Sequence, residues 1–281
     1  MHQPPYQFNS SVDPLLYHYT DLVSAQAITA SQAFRLSEFT AMNDPSEFEF
    51  AKGELDKLLD RNLPPLDIVS HYALAHAFDE LEAATRLLLG SFTTRSDDLT
   101  QWRLYGDNGQ GCVLGLDAAY LEFDAGVRVC RVLYEPEMVA AALKSMLTVL
   151  QEQWEEDKQD FHTLQDFARH IVMDLFTIKH PSYADEREVR ISRMVNRSGG
   201  IYFDPGGNAR GNLHVPPNEV QTRRGRHGDV AYINLPLNLS GNSAITCIGF
   251  GPCVDDQTYK ATKAKFEDAN ITVWRSTLPY R

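Results

Sequence analysis

A chain of 281 residues, 43% of them hydrophobic, carries ample apolar material for a core, in one large domain or two small ones. Lys and Arg number 26 against 38 Asp and Glu. The resulting formal charge of −12 opposes non-specific attraction to a polyphosphate backbone and argues against a dedicated nucleic-acid carrier. No run of about eighteen apolar residues occurs, and the polar stretch 1–11 lacks the pattern of a signal peptide, so a cytoplasmic protein without a membrane span is expected.

Leu15-Leu16-Tyr17-His18-Tyr19 has strand character, and residues 20–32 then read as a helix capped by Thr20 or Asp21. Phe34-Arg35-Leu36-Ser37 alternates like a strand. Met42-Asn43-Asp44-Pro45-Ser46-Glu47 reads as a turn before an acid-rich helix that runs to about residue 59. After Pro64 and Pro65, residues 66–84 look helical and 87–93 look like a buried strand. Asp98 and Gln101 have capping-box spacing at the head of a short helix over 99–105, which Gly106 stops. That helix places Trp102 and Tyr105 on one face.

Two strands are expected at 111–117 and 127–134, followed by a helical insertion over about 137–180 with apolar stripes and acidic faces. From Glu188 strand signals dominate, at 188–194, 201–203, 230–235, 244–250 and 271–274, with one helix over about 256–268. Glycines and prolines crowd residues 196–229, including Gly199, Gly200 and Gly211, and suggest an extended connection with the character of a lid. No repeat and no clear linker divides the chain. The expected fold is α+β, one domain over 1–281.

P-loop, Rossmann, zincin and G-x-S-x-G signatures are absent, and the four cysteines and nine histidines lack metal-ligand spacing. No metal is therefore expected, and the cysteines read as buried thiols. Three features remain as candidates for chemistry. The first is Tyr17-His18-Tyr19-Thr20, where a neutral imidazole can meet a sugar hydroxyl beside aromatic walls; the bland alternative is a histidine satisfying backbone at a strand end. The second is Glu186-Arg187-Glu188-Val189-Arg190-Ile191. Read as a strand, it puts Glu186, Glu188 and Arg190 on one face opposite Val189 and Ile191, with a solvated Glu–Arg ladder as the alternative. The third is Gln101-Trp102-Arg103-Leu104-Tyr105-Gly106 with Gly109 and Gly111, offering a ring to stack on and glycines to approach a phosphate, or else core anchors and turn residues. Arg223-Arg224-Gly225-Arg226-His227 is a weaker candidate for anion contact.

In combination these pieces resemble the bacterial domain-of-unknown-function family 2971. The resemblance is carried by Leu16-Tyr17-His18-Tyr19-Thr20, Arg35-Leu36-Ser37, Met42 to Glu47, Leu99 to Gly106, Glu186 to Arg190, Ile248-Gly249-Phe250-Gly251-Pro252 and Ser276 to Arg281. That family in turn is distantly similar to ADP-ribosyltransferases of the nucleic-acid-modifying toxin branch. The resemblance implies a fold of mixed and antiparallel sheets with flanking helices, and NAD as substrate. It also implies transfer of ADP-ribose to a protein or nucleic-acid acceptor, or to water, by a toxin or phage-defence effector. By the same resemblance Glu188 would be the catalytic carboxylate on the nicotinamide ribose, Glu186 the acid that engages the acceptor, and His18 the holder of the adenosine-side ribose, with Tyr17, Tyr19 and Thr20 around it. Tyr105, with Trp102 next, would supply the aromatic wall. The competing expectations are a non-catalytic nucleotide-binding sensor of bacterial defence and a partner-binding surface on the acidic helices.

Overall fold

A computed structural model describes residues 6–39, 46–156, 160–199, 201–208, 214–225, 228–239, 241–267 and 271–280. The expected turn at Met42 to Pro45, together with Gly200, Gly211, Arg226, His227, Asp268 and Arg281, lies outside the described residues. Strand β1 (Leu15–Thr20) alternates as a pleat must: Leu16 and His18 meet the main core, whereas Tyr17 and Tyr19 face a smaller cluster with Trp102 and Val113. Asp21, not Thr20, caps α1 (Leu22–Ser31), its carboxylate accepting from the Ser24 N–H at 2.8 Å. β2 (Ala33–Glu38), α2 (Ser46–Asp60), α3 (Ile68–Ala83) and β3 (Thr85–Thr93) follow, then α4 (Leu99–Leu104).

β4 (Cys112–Asp117) and β5 (Arg128–Arg131) precede α5 (Pro136–Glu156) and α6 (Phe161–Asp174), the two helices expected between 137 and 180. They do not stand apart. Their apolar stripes, including Leu143, Leu147, Leu164 and Ile171, pack with Leu55 of α2, Leu74 of α3 and Leu87 and Leu89 of β3 into one buried cluster. The C-terminal third holds β6 (Glu188–Ser198), β7 (Ile201–Phe203), β8 (Gly207–Asn208), β9 (His214–Val215), β10 (Gln221–Gly225) and β11 (Gly228–Pro236). β12 (Asn238–Leu239), β13 (Asn242–Ser243), β14 (Ile245–Phe250), α7 (Asp256–Glu267) and β15 (Thr272–Arg275) complete it.

Eleven of these strands form one mixed sheet flanked by helices, in which β14 and β15 are parallel and the other described pairings antiparallel. The architecture is mixed helix and strand, as expected. Its decisive feature is a fork beside β3. On one flank β3 pairs with β6 without interruption from Thr85↔Asn196 to Thr93↔Glu188. On the other flank it pairs with β2 only at Leu88 and Leu89 and with β1 only at Thr93. β2 leaves with β11 and β10, β1 leaves with β4, β14 and β15, and the edges of Gly90, Ser91 and Phe92 on that flank open into the gap.

Several expectations are corrected here. Residues 196–229 are not a bare connection: β6 extends to Ser198, β7 pairs with it, and β10 pairs with β11. The buried Asp204 is also held by Arg193 at 3.0 Å, and no described residue of this stretch lines the cleft beside β3. The glycines after α4 serve close packing. A Cβ on Gly111 would stand 2.2 Å from the Thr20 carbonyl oxygen, and one on Gly106 would stand 2.6 Å from Trp102 Cε3. Half of the capping box is missing, because the Gln101 side chain reaches the Glu186 carbonyl while the Asp98 N–H donates to the Tyr19 hydroxyl. Only two cysteines are buried thiols, Cys112 and Cys130, and burial pushes them up to about 12 and about 11; Cys247 is half-buried and Cys253 exposed.

Candidate active site at the sheet fork

The gap between β1 and β2 opens into a cavity of about 290 Å³, at the lower end of the usual range for small-molecule sites. His18, Tyr105, Glu186 and Glu188 all line it, with Tyr17 and Tyr19 at the β1 side and Phe34, Arg35, Gly90, Ser91 and Phe92 around the fork. Thr20 and Trp102 are not among the lining residues.

His18 fills the place a ladder hydrogen bond would occupy. Its Nδ1 lies 3.0 Å from the Ser91 carbonyl oxygen, and the ring packs edge-on against Phe34 at 4.8 Å and tilted against Phe92 at 5.5 Å. Burial, set against that hydrogen bond, pushes the imidazole below its ordinary value, so it is neutral at pH 7. A carbonyl only accepts, hence Nδ1 carries the proton and Nε2 is left as an acceptor on a cavity-lining ring. Gly90 allows this closeness, since a Cβ there would stand 2.6 Å from Phe34 Cε1 and 2.9 Å from Leu36 Cδ2.

The two glutamates arrive by different routes. Glu188 opens β6 and shares a face with Arg190, while Val189 and Ile191 enter the main core, as alternation requires. Glu186 is off the strand. It ends a 3-10 turn, Pro181–Glu186, and Arg187 in the left-handed region at φ 47° separates it from β6. The solvated-ladder alternative fails, because Glu186, Glu188 and Arg190 are all buried, and β6 lies inside the sheet between β3 and β5 rather than at its edge.

Arg190 clamps Glu188 with two bonds, Nε to Oε1 at 2.8 Å and Nη2 to Oε2 at 3.0 Å. Burial alone would raise the Glu188 carboxyl, but Arg190 and then Lys179 outweigh it and hold it down to about 2. Glu188 is therefore ionised at every physiological pH. Its backbone N–H donates to the Tyr134 hydroxyl at 3.1 Å. Lys179 follows α6 and the 3-10 turn Leu175–Thr177, with Nζ 2.6 Å from Glu186, 2.9 Å from Glu47 and 3.5 Å from Glu188. Glu47 also pairs with Arg190. Three carboxylates thus meet two cations, a cluster of formal charge −1 at the base of the cleft. Local sequence marks neither Lys179 nor Glu47 as a charge partner of the two glutamates; the lysine directly after Phe176-Thr177-Ile178 is only a weak signal.

α4 docks this corner twice, through Gln101 Nε2 to the Glu186 carbonyl and the Tyr105 hydroxyl to Glu186 Oε1, both at 2.8 Å. Burial first, then Glu186, raises the Tyr105 phenol far above its ordinary value, so it is a donor throughout. Trp102, on the same short helix, is fully buried against Tyr19 at 4.7 Å, and its Nε1 donates to Asp97 at 2.7 Å. It is a core anchor. Tyr19 donates to the Arg95 carbonyl at 3.0 Å and thereby fixes the loop before α4, and Tyr17 packs against the cluster of Tyr19, Trp102 and Val113.

The comparisons with known proteins bear on this corner. Residues 101–191 match the model of a protein family of unknown function, DUF2971. The DUF2971 match begins at Gln101, ends at Ile191, and so contains Tyr105, Lys179, Glu186, Glu188 and Arg190, while His18 and Glu47 fall outside it. No curated protein and no solved structure matches the chain. Among the described residues, no group of three or more His, Cys, Asp or Glu is arranged to hold a metal ion, and no helix is long and apolar enough to cross a membrane.

Proposed function

We propose that the cleft binds NAD and that the protein transfers or hydrolyses its ADP-ribose. The observation that carries this reading is that His18, Tyr105 and Glu188, far apart in sequence, line one cavity at the sheet fork. When the bond between ribose C1′ and the nicotinamide nitrogen breaks, the bonding pair leaves with nicotinamide and positive charge builds on the ribose, as in glycoside cleavage. A carboxylate that stays ionised in a buried setting stabilises that charge, and Glu188 is such a group. The acceptor, a nucleophile of a protein or nucleic acid, or water, then forms the new bond to C1′ and loses its proton. The acceptor nitrogen of His18 suits a sugar hydroxyl, and Tyr105 offers a ring for the nicotinamide. The volume of about 290 Å³ suits part of NAD rather than the whole dinucleotide.

Nicotinamide release and label transfer from labelled NAD, with and without a cell lysate, test this. Glu188→Gln keeps the shape and removes the charge, and the loss expected is about a hundred- to a thousandfold in rate. Release or transfer unchanged in that variant refutes the assignment. One observation favours a second reading, a nucleotide sensor without chemistry: all four oxygens of Glu186 and Glu188 are already engaged by Tyr105, Lys179 and Arg190. Calorimetry showing NAD bound and unconsumed over hours selects the sensor.

A further inference from the structure

Glu186 and Glu188 stand in the spacing that, by the resemblance above, gives one carboxylate to the sugar and the other to the acceptor. The contacts divide them differently. Glu186 has Oε1 on the Tyr105 hydroxyl at 2.8 Å and Oε2 on Lys179 at 2.6 Å, so both oxygens are committed inside the protein. Lys179 is in turn held from every side: Glu47 at the start of α2, Glu186 on the 3-10 turn, Glu188 on β6, and the Tyr183 ring 4.6 Å from Nζ. Among the described residues, Tyr105 at the end of α4, Tyr134 after β5 and Arg190 on β6 contact the same glutamates.

We propose that Lys179 is a positioning residue: its ammonium locks Glu186 onto Tyr105 and holds Glu188 beside them, so that Glu186 orients the aromatic wall of the cleft instead of engaging an acceptor. The inference rests on the NAD reading only for what the wall stacks against. The physical argument is one of charge and count. Without the ammonium, Glu47, Glu186 and Glu188 are left, among the described residues, with Arg190 as their cation, and like charges gathered around one site away from water do not all stay ionised. A protonated or displaced Glu186 no longer pins the Tyr105 hydroxyl. Burial works against the charge of Lys179, yet the three carboxylates push it above its ordinary value, so the lock is closed throughout the physiological range.

The test uses the full chain labelled with carbon-13 at the glutamate carboxyls. In wild type the Glu188 signal titrates near 2. In Lys179→Met its midpoint rises by about one pH unit or more, and Lys179→Arg, which restores a cation, brings it back. Lys179→Gln serves in the same role should the methionine variant not fold. Binding of NAD supplies the second readout. Lys179→Met, Glu186→Gln and Tyr105→Phe each weaken it by up to about tenfold, and the Glu186→Gln/Tyr105→Phe double variant is no weaker than either single one. Coincident Glu188 titrations in wild type and Lys179→Met, or effects of Glu186→Gln and Tyr105→Phe that add in full, overturn the proposal. The titration needs no NAD, so a wild-type chain that binds none refutes the NAD reading and leaves the role of Lys179 to be decided by the carboxyl signals.

Discussion

Replacing Arg190 by methionine removes the guanidinium that clamps Glu188 while keeping much of its aliphatic stem. The variant leaves the buried Glu188 and the half-buried Glu47 with Lys179 as their cation, and it orphans the Phe176 carbonyl that Arg190 Nη1 reaches at 2.6 Å. Two routes give the size of the loss. Breaking a buried ion pair by deleting one partner costs about 3 to 5 kcal/mol. The fall of the Glu188 carboxyl from an ordinary 4.5 to about 2 corresponds to roughly 3 kcal/mol, with Arg190 ahead of Lys179 among its causes. Since the folded-state carboxyl titrates below the unfolded one, this contribution is complete above about 4.5 and fades as the pH falls toward 2. Urea unfolding followed by tryptophan fluorescence, at pH 7 and at steps below 4.5, reads both features. Wild type and Arg190→Met should differ by about 3 to 5 kcal/mol at neutral pH, and the gap should narrow on the acid side. A gap under about 1 kcal/mol at pH 7, or one that ignores pH, would show that the clamp is not what keeps Glu188 ionised.

Other perturbations probe the fork and its supports. Gly90→Ala drives a methyl into Phe34 and Leu36, should cost about 1 to 3 kcal/mol, and should weaken NAD binding by narrowing the gap; normal calorimetric titration with normal stability would contradict the tight fork. Trp102→Ala removes the largest fully buried side chain and is expected to cost about 3 to 5 kcal/mol, whereas a folded variant that specifically loses ligand stacking would return Trp102 to the cleft. His18 is half-buried and neutral, its pKa lowered from an ordinary 6.5, so its contribution to stability is present above 6.5 and lost as the pH falls through its lower folded value. His18→Gln should flatten the stability profile in that window, and an unchanged profile by thermal scanning would argue that the imidazole is free to charge.

Much of the frame was legible along the chain because it is local. Asp98 before Leu99 announces a helix start because its carboxylate accepts from the Thr100 and Gln101 backbone N–H groups, and Val189 with Ile191 announces a strand through alternation. Glu186 shows where local reading stops. Strand alternation projected back from Glu188 puts both acids on one face, but the left-handed Arg187 breaks the pleat, and Glu186 reaches the cleft from a turn held by Gln101. Trp102 and Tyr105 likewise share a helix yet divide between core and cleft, because β1 and the loop at Arg95 to Asp98 enclose the indole.

Periodicity, capping and residue type within a few positions sufficed for the class of the fold, for its main helices and longer strands, and for His18 and Glu188 as groups to watch, but not for β8, β9, β10, β12 and β13. Tertiary structure alone decided that the sheet forks at Gly90 to Phe92, that Glu47 and Lys179 join the two glutamates, and that Trp102 serves the core. The reason is physical: buried charges find their partners through space, and pairings that span more than a hundred residues, such as Glu47 with Arg190, leave no pattern along the chain.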